Sequence, residues 1–404
     1  MWKIFGVLAV VVSGLLLACS QVNPPAPADP GLSSSHWDNP AATNGEPPHN
    51  WSALEKDLKP EACAQCHSEQ FNDWKKSLHA HAYSPGLIGQ FPGMGHMEGN
   101  NCLNCHAPLA EQKYVDHQEM LKSLKEKLKQ PVGFSETGTL IESELPLRHA
   151  GVTCAACHVR GWERFGPPQR DTGKAGRVKE PAHGGFIATR DFERSNFCAS
   201  CHQFPQEYAI NGKPLENTVK EWEVSRFAGE GVQCQSCHMP DRKHQFKGIH
   251  DPGMTRKGLD FKVERKRRGA LLTIHSRWIG HAFPTYVTPK VVVVAEALDR
   301  NDKRLHVWQW EIIREVYYDD GWQEKRDTRL MPDETRHYEA SDAPEGTRQI
   351  NYQVKVIPDY FYKGVYEGLL EGQMEPDAKT LIEQAAKQAD ANDYMLFEGA
   401  VSLD

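Results

Sequence analysis

Hydrophobic positions are spread unevenly along this chain, and the unevenness divides it. Residues 4–17 are an apolar run behind the single positive charge of Lys3. Residues 20–57 show no hydrophobic period and are rich in Pro, Ala, Asn and Ser, as in Pro24-Pro25-Ala26-Pro27 and Pro47-Pro48, which predicts a flexible, solvated tether over 19–57. From 58 to 260 the apolar positions are sparse, and only 111–130 carries a clear helical stripe, with Leu121, Leu124 and Leu128 on one side and Pro131 closing it. Beyond about 268 the period changes to two. The runs 271–279, 290–298, 305–318 and 349–357 are rich in β-branched and aromatic residues, and Ile350, Tyr352, Val354 and Val356 alternate strictly. They predict an antiparallel β-sandwich-like domain over 268–360. After Pro358 a helical period returns, clearest over 377–390, and predicts a C-terminal helical tail over 361–404. The expected fold class is thus α+β and multidomain, a mostly helical and loop domain of 58–260 followed by the sandwich and the helix.

The domain of 58–260 is too poor in core-forming residues to fold by itself. Between residues 61 and 240, Leu, Ile, Val and Phe fill 32 of 180 positions, below the share of about 20% under which a charged chain tends to stay disordered. What replaces them is written in the cysteines. Ten of the 11 cysteines fall into five copies of Cys-x-x-Cys-His: Cys63 and Cys66 with His67, Cys102 and Cys105 with His106, Cys154 and Cys157 with His158, Cys198 and Cys201 with His202, Cys234 and Cys237 with His238. This is the attachment signature of a c-type haem. Its two thiols reach the vinyl groups of one porphyrin and the adjacent imidazole meets the iron as proximal ligand. Five covalently bound haem c groups are expected, and they would supply the missing core. Gaps of 39, 52, 44 and 36 residues between first cysteines are too irregular for a solenoid and too short for one domain per haem, so the five share one domain.

The remaining cysteine, Cys19, leaves no pair for a disulfide. It follows Leu16-Leu17-Ala18 at the end of the apolar run, which resembles a bacterial lipoprotein signal over 1–18 with lipidation at Cys19. An ordinary signal peptide cut nearby is the alternative. Both place the mature chain outside the cytoplasm, in the periplasm or, given Ser20, at the outer membrane. No later segment reaches the roughly 20 apolar residues of a membrane-spanning helix, which leaves a lipid anchor as the membrane attachment. The formal net charge of -7 and the isolated basic run 262–268 give no reason to expect a nucleic-acid partner. Oligomeric state has no signature in the sequence.

Function depends on the distal ligand of each iron, because a second imidazole closes the site and an open position admits a substrate. Of 19 histidines, 14 lie outside the signatures. His79 and His81 follow the first signature in Ser77-Leu-His79-Ala80-His81. His149 precedes the third by five residues, His183 stands in Pro181-Ala-His183-Gly-Gly, His244 and His250 follow the fifth, and His281 opens the β region in Gly280-His281-Ala-Phe-Pro-Thr285. His36 and His49 fall in the tether, and His117 reads as a surface residue.

At these residues the chain resembles the bacterial multihaem cytochromes related to cytochrome c-554. The pattern of Cys-x-x-Cys-His, then Trp74, then Ser77-x-His79-Ala80 matches that family. So do Gly-Val-x-Cys-x-x-Cys-His at 151–158 and 231–238 and Gly-His-x-Phe-Pro-Thr at 280–285. The resemblance covers about 58–290 and implies mainly bis-histidine haems in close pairs that pass electrons between redox partner proteins. It marks His79 and His281 as distal ligands, and His149, His183, His244 and His250 as further candidates. Five haems against four in the family's type member is the departure. An electron carrier is therefore expected. The alternative is an oxidoreductase acting on a small nitrogen or oxygen species at one five-coordinate haem. Binding of zinc by the Cys-x-x-Cys pairs is a third class, disfavoured because a histidine trails every pair.

Overall fold

The computed structural model describes residues 29–38, 41, 46–130, 146–170 and 182–403. The expected signal sequence, the expected lipidation site Cys19 and part of the proline-rich stretch lie outside these residues. Helices fill the N-terminal part and antiparallel sheets the C-terminal part, as the α+β expectation required. No helix among the described residues is long and apolar enough to cross a membrane.

In the N-terminal part regular structure is short. Helix α1 is Pro60–Ala64, α2 Ser68–Trp74, α3 His96–His106, α4 His117–Leu128, α5 Cys154–His158, α6 Asn196–His202 and α7 Cys234–His238. The helix expected over 111–130 begins later, at His117, because Asp116 caps it by accepting the Glu119 N–H. Its stripe of Met120 and Leu124 joins Tyr83, Ile88, Phe91 and Leu103 in a small core. From 146 to 258 buried hydrophobic side chains are few, chiefly Val159, Ile210, Val219 and Phe227.

The C-terminal part is a true sandwich. Strands β1 (Leu259–Lys266), β2 (Gly269–Ser276), β3 (Lys290–Leu298), β4 (Arg304–Ile312), β5 (Arg314–Tyr318), β6 (Trp322–Asp327), β7 (Thr335–Ala340) and β8 (Gln349–Ile357) are followed by α8 (Tyr360–Glu371), α9 (Pro376–Ala391) and β9 (Tyr394–Ser402). One sheet runs β7-β2-β1 and the other β9-β8-β3-β4, all antiparallel, with β5-β6 as a separate hairpin. The alternating set Ile350, Tyr352, Val354 and Val356 faces inward at 0% exposure and meets Leu272, Ile274, Val291 and Val293 in one core. Each fully buried aliphatic side chain there contributes about 1.5–3 kcal/mol.

Three boundaries differ from the expectation. The sheet begins at Leu259, inside the region assigned to the haem domain, because Leu259 and Phe261 pair with Ser276 and Ile274 of β2. The tail is not wholly helical: α9 packs Leu381 into the core around α4, whereas 394–402 pairs along β8 as an edge strand. The tether is also not solvated throughout. His36 is 3% exposed, packed against Trp37 and Phe165 with Nε2 hydrogen-bonded to the Cys157 carbonyl (3.1 Å), and Ala41 pairs with Leu109. Aromatic packing and ladder hydrogen bonds carry this segment, and neither shows as a hydrophobic period.

The two parts are bolted together by charge. Arg314, fully buried, holds Glu324 at 2.8 Å and donates to the carbonyls of Lys213 (2.8 Å), Ile210 and Pro214 in the hairpin 209–214. Arg329 bridges Asp327 and Glu221 at 2.9 Å each. Removing one partner from such a buried set typically costs about 3–5 kcal/mol, because the remaining charge stays buried.

Candidate haem centres

Each Cys-x-x-Cys-His copy occupies one helical turn, which brings the cysteines three residues apart to one side with the histidine next to them. In α3, α5, α6 and α7 the histidine is the last helical residue. The chain turns away immediately after it, at Ala107, Val159, Gln203 and Met239. The first copy is built differently: the His67 N–H closes a turn onto Cys63 O (2.9 Å) and His67 itself precedes α2.

The orientation of the rings is a direct test of fit to iron. His106 Nδ1 lies 3.0 Å from the Ala82 carbonyl, His158 Nδ1 2.7 Å from that of Phe165, and His238 Nδ1 2.6 Å from that of Lys247. A carbonyl only accepts, so Nδ1 carries the proton and Nε2 keeps its lone pair for a metal. His183 Nδ1 donates to Gly185 O (2.8 Å), His244 Nδ1 to Arg242 O (2.9 Å) and His281 Nδ1 to Ala282 O (2.9 Å), so three distal candidates share this arrangement.

Ring separations give a second test. The rings of His158 and His244 are 6.2 Å apart between centres, those of His202 and His79 6.1 Å, and those of His238 and His281 6.3 Å. With each nitrogen about 2 Å from a shared metal and each ring centre about 1.1 Å further back, two axial imidazoles have centres roughly 6.2 Å apart. His158 with His244 and His238 with His281 meet both tests, and His202 with His79 meets the second, as haem iron held between paired histidines would require. Burial pushes His79 down to about 3 and His158 and His281 to about 4, which keeps these imidazoles in the neutral form a metal requires.

His79 and His281 are positioned by their surroundings. Gly151 lies against the His79 carbonyl at a left-handed φ of 63°, where a Cβ would come within 2.4 Å of that oxygen, and the Val152 N–H donates to the same carbonyl. The His281 loop is held by Glu221, whose carboxylate accepts the Ala282 N–H (3.1 Å) and pairs with Arg329. Behind it, Gly280 packs on Trp222 and Phe227. The β domain thus carries His281 to the fifth signature.

Two candidates depart from the expectation. His149 is 2% exposed with both nitrogens engaged, Nε2 with Ser123 Oγ (2.8 Å) and Nδ1 with Gln130 (2.5 Å), and it stacks on Tyr83. His250 has Nε2 on Asp359 Oδ1 at 3.0 Å. Neither offers a free Nε2 lone pair, and both act as structural hydrogen-bond groups. His149→Ala is expected to leave every haem signal unchanged in EPR. It should lower stability by about 1–3 kcal/mol in urea unfolding, through the buried partners left unpaired.

Two features escaped the sequence reading. Trp74 and Trp222 each donate an indole N–H to the valine carbonyl of a Gly-Val-x-Cys motif, Val152 (2.7 Å) and Val232 (2.9 Å), with Ser77 and Ser225 folding back on the tryptophan carbonyls. The signal was present as a repeated Trp-x-x-Ser. The second is the partner of His202 Nδ1, which is no carbonyl but the Glu216 carboxylate at 3.0 Å, with the Tyr286 hydroxyl at 2.9 Å. Burial lowers His202, yet the hydrogen bond and charge of Glu216 outweigh it and raise the imidazole above its ordinary value.

Cysteines of different signatures lie close together, Cys63 by Cys154, Cys105 by Cys201 and Cys198 by Cys234. The fourth signature therefore borders both the second and the fifth.

A family profile, "Cytochrome c554 and c-prime", matches residues 62–129, which contain the first two signatures. No curated protein matches the chain. Among solved structures, a penta-heme cytochrome c552 from Thermochromatium tepidum is similar at 19% identity with a TM-score of 0.58, over 87% of this chain and 100% of that one. The profile match spans two of the five signatures, and the likeness to the solved structure, at 19% identity, is one of fold.

Proposed function

We propose that this multihaem cytochrome binds five haem c groups and carries electrons between redox partner proteins. The observation that carries this reading is the set of three histidine pairs at 6.1–6.3 Å, His158 with His244, His202 with His79 and His238 with His281. Bound haem supplies a one-electron iron couple. The chain's own residues do the rest: the cysteines fix each group, the paired imidazoles exclude outside ligands, and contacts between signatures make neighbouring groups adjacent. Attachment residues that lie close, Cys63 by Cys154, Cys105 by Cys201 and Cys198 by Cys234, gather the sites into two groups, the first with the third and the second with the fourth and fifth. His183 belongs beside the first signature, because its N–H donates to Glu55 and Arg164, held by the Glu55 carbonyl, acts on Cys63. Export and a lipid anchor at Cys19, in the periplasm or at the outer membrane, rest on the N-terminal signature alone.

A second reading is favoured by one observation. With His149 and His250 engaged elsewhere, four of the six distal candidates remain for five irons, and the unmatched one is the iron at His106. An open position there would suit a small nitrogen or oxygen species. Low-temperature EPR of the ferric protein, with a haem count, decides between them. Only low-spin signals, unchanged by cyanide or nitric oxide, support the carrier; one stoichiometric high-spin haem that binds either ligand overturns it in favour of the oxidoreductase.

A further inference from the structure

The proximal imidazoles do not have the same partners. His106, His158 and His238 donate Nδ1–H to a neutral backbone carbonyl. At His202 the partner is a carboxylate, Glu216 Oε1 at 3.0 Å, and the Tyr286 oxygen also lies 2.9 Å from Nδ1. Tyr286 is hydrogen-bonded to Glu216 as well. A carboxylate only accepts, so the tyrosine proton goes to Glu216. Tyr286 is delivered from the β domain by the same loop that carries His281. It holds a left-handed φ of 62°, a conformation costly for an aromatic side chain and one that clusters at functional sites. Thr218 hydrogen-bonds Tyr286 and also Thr285 (2.6 Å), fixing the ring from the haem-domain side.

A negative partner on Nδ1–H draws the proton away and makes Nε2 a stronger donor to iron, favouring the ferric state over the ferrous. A hydroxyl that donates to the same carboxylate weakens that pull. We propose that Glu216 is a positioning residue that lowers the reduction potential of the haem bound through Cys198, Cys201 and His202, and that Tyr286 limits how far. This rests on the five-haem reading above and goes beyond it. The site sits at a junction, with Cys201 against Cys105 and Cys198 against Cys234. The Glu216–Tyr286 pair thus adjusts the site that lies between the second and fifth signatures.

The test is a potentiometric titration of the full haem-loaded chain, followed by optical and EPR spectra. Glu216→Gln keeps the shape and removes the charge; it should raise one couple by at least tenfold in its reduction equilibrium, which is 59 mV for one electron. Tyr286→Phe frees the carboxylate and should move the same couple the other way by less. Opposite shifts of one couple are not what a general packing defect produces. Couples unmoved by either variant, or moved together in one direction, overturn the proposal. Should Glu216→Gln lose haem, Tyr286→Phe decides alone, with one lowered couple expected. A full haem count with no couple moved removes only this inference, whereas a wild-type chain whose peptide bearing Cys198 and Cys201 carries no haem removes the five-haem reading with it.

Discussion

On the proposed ligation, His281→Ala is expected to convert one low-spin haem per chain into a high-spin haem and to leave the others as they were. The imidazole it removes stands 6.3 Å, centre to centre, from that of His238, with Nδ1 held by the Ala282 carbonyl. Little else depends on that ring. The loop is held by the Ala282 N–H on Glu221, by paired backbone hydrogen bonds between Phe283 and Leu330 (2.8 and 2.9 Å), and by Gly280 on Trp222. A shortened side chain therefore opens the axial position without undocking the β domain. Added imidazole should restore the low-spin signal, which separates loss of a ligand from loss of structure. An unchanged EPR spectrum would refute the assignment of His281.

Preventing haem attachment is expected to divide the chain in two. In the haem-free protein, amides of β1, β2, β3, β7, β8 and β9 should remain protected against hydrogen exchange by roughly 5 kcal/mol, the low end for a folded domain. Those between 146 and 250 should exchange as in an unfolded chain. The sandwich core, from Leu272 and Ile274 across to Val293, Ile350 and Val354, is made of side chains alone. In the haem domain the buried hydrophobics between 146 and 258 are too few and too scattered to offset chain entropy of about 1–2 kcal/mol per residue. A haem-free chain protected uniformly from 146 onward would show that the porphyrins are not the core of that region.

These two experiments separate what was legible in the sequence from what was not. The five signatures name their own chemistry, because covalent attachment fixes residue type and spacing within five positions. Strict alternation at Ile350, Tyr352, Val354 and Val356 likewise announced a strand with one dry face. Distal ligation is a different matter. His149 and His244 stand five and six residues from a signature, yet His244 keeps Nε2 free while His149 gives both nitrogens to Ser123 and Gln130. Those partners lie 26 and 19 residues away and become neighbours only when α4 folds beside the third signature. Glu216 and Tyr286 meet His202 from 14 and 84 residues away for the same reason. Strand β9 was hidden because 394–402 follows two strongly helical runs, and only its partner Gln349–Ile357 reveals its state. Proximity in sequence marked the candidate ligands but could not say which way a ring would turn.

Strand β9 has a bearing on how the molecule is made. It pairs with β8 only after α8 and α9 have been laid down between them, a non-local contact of the kind that forms slowly. That edge of the sheet is thus completed late, and a chain ended before Tyr394 is expected to leave the β8 backbone groups that face β9 unpaired.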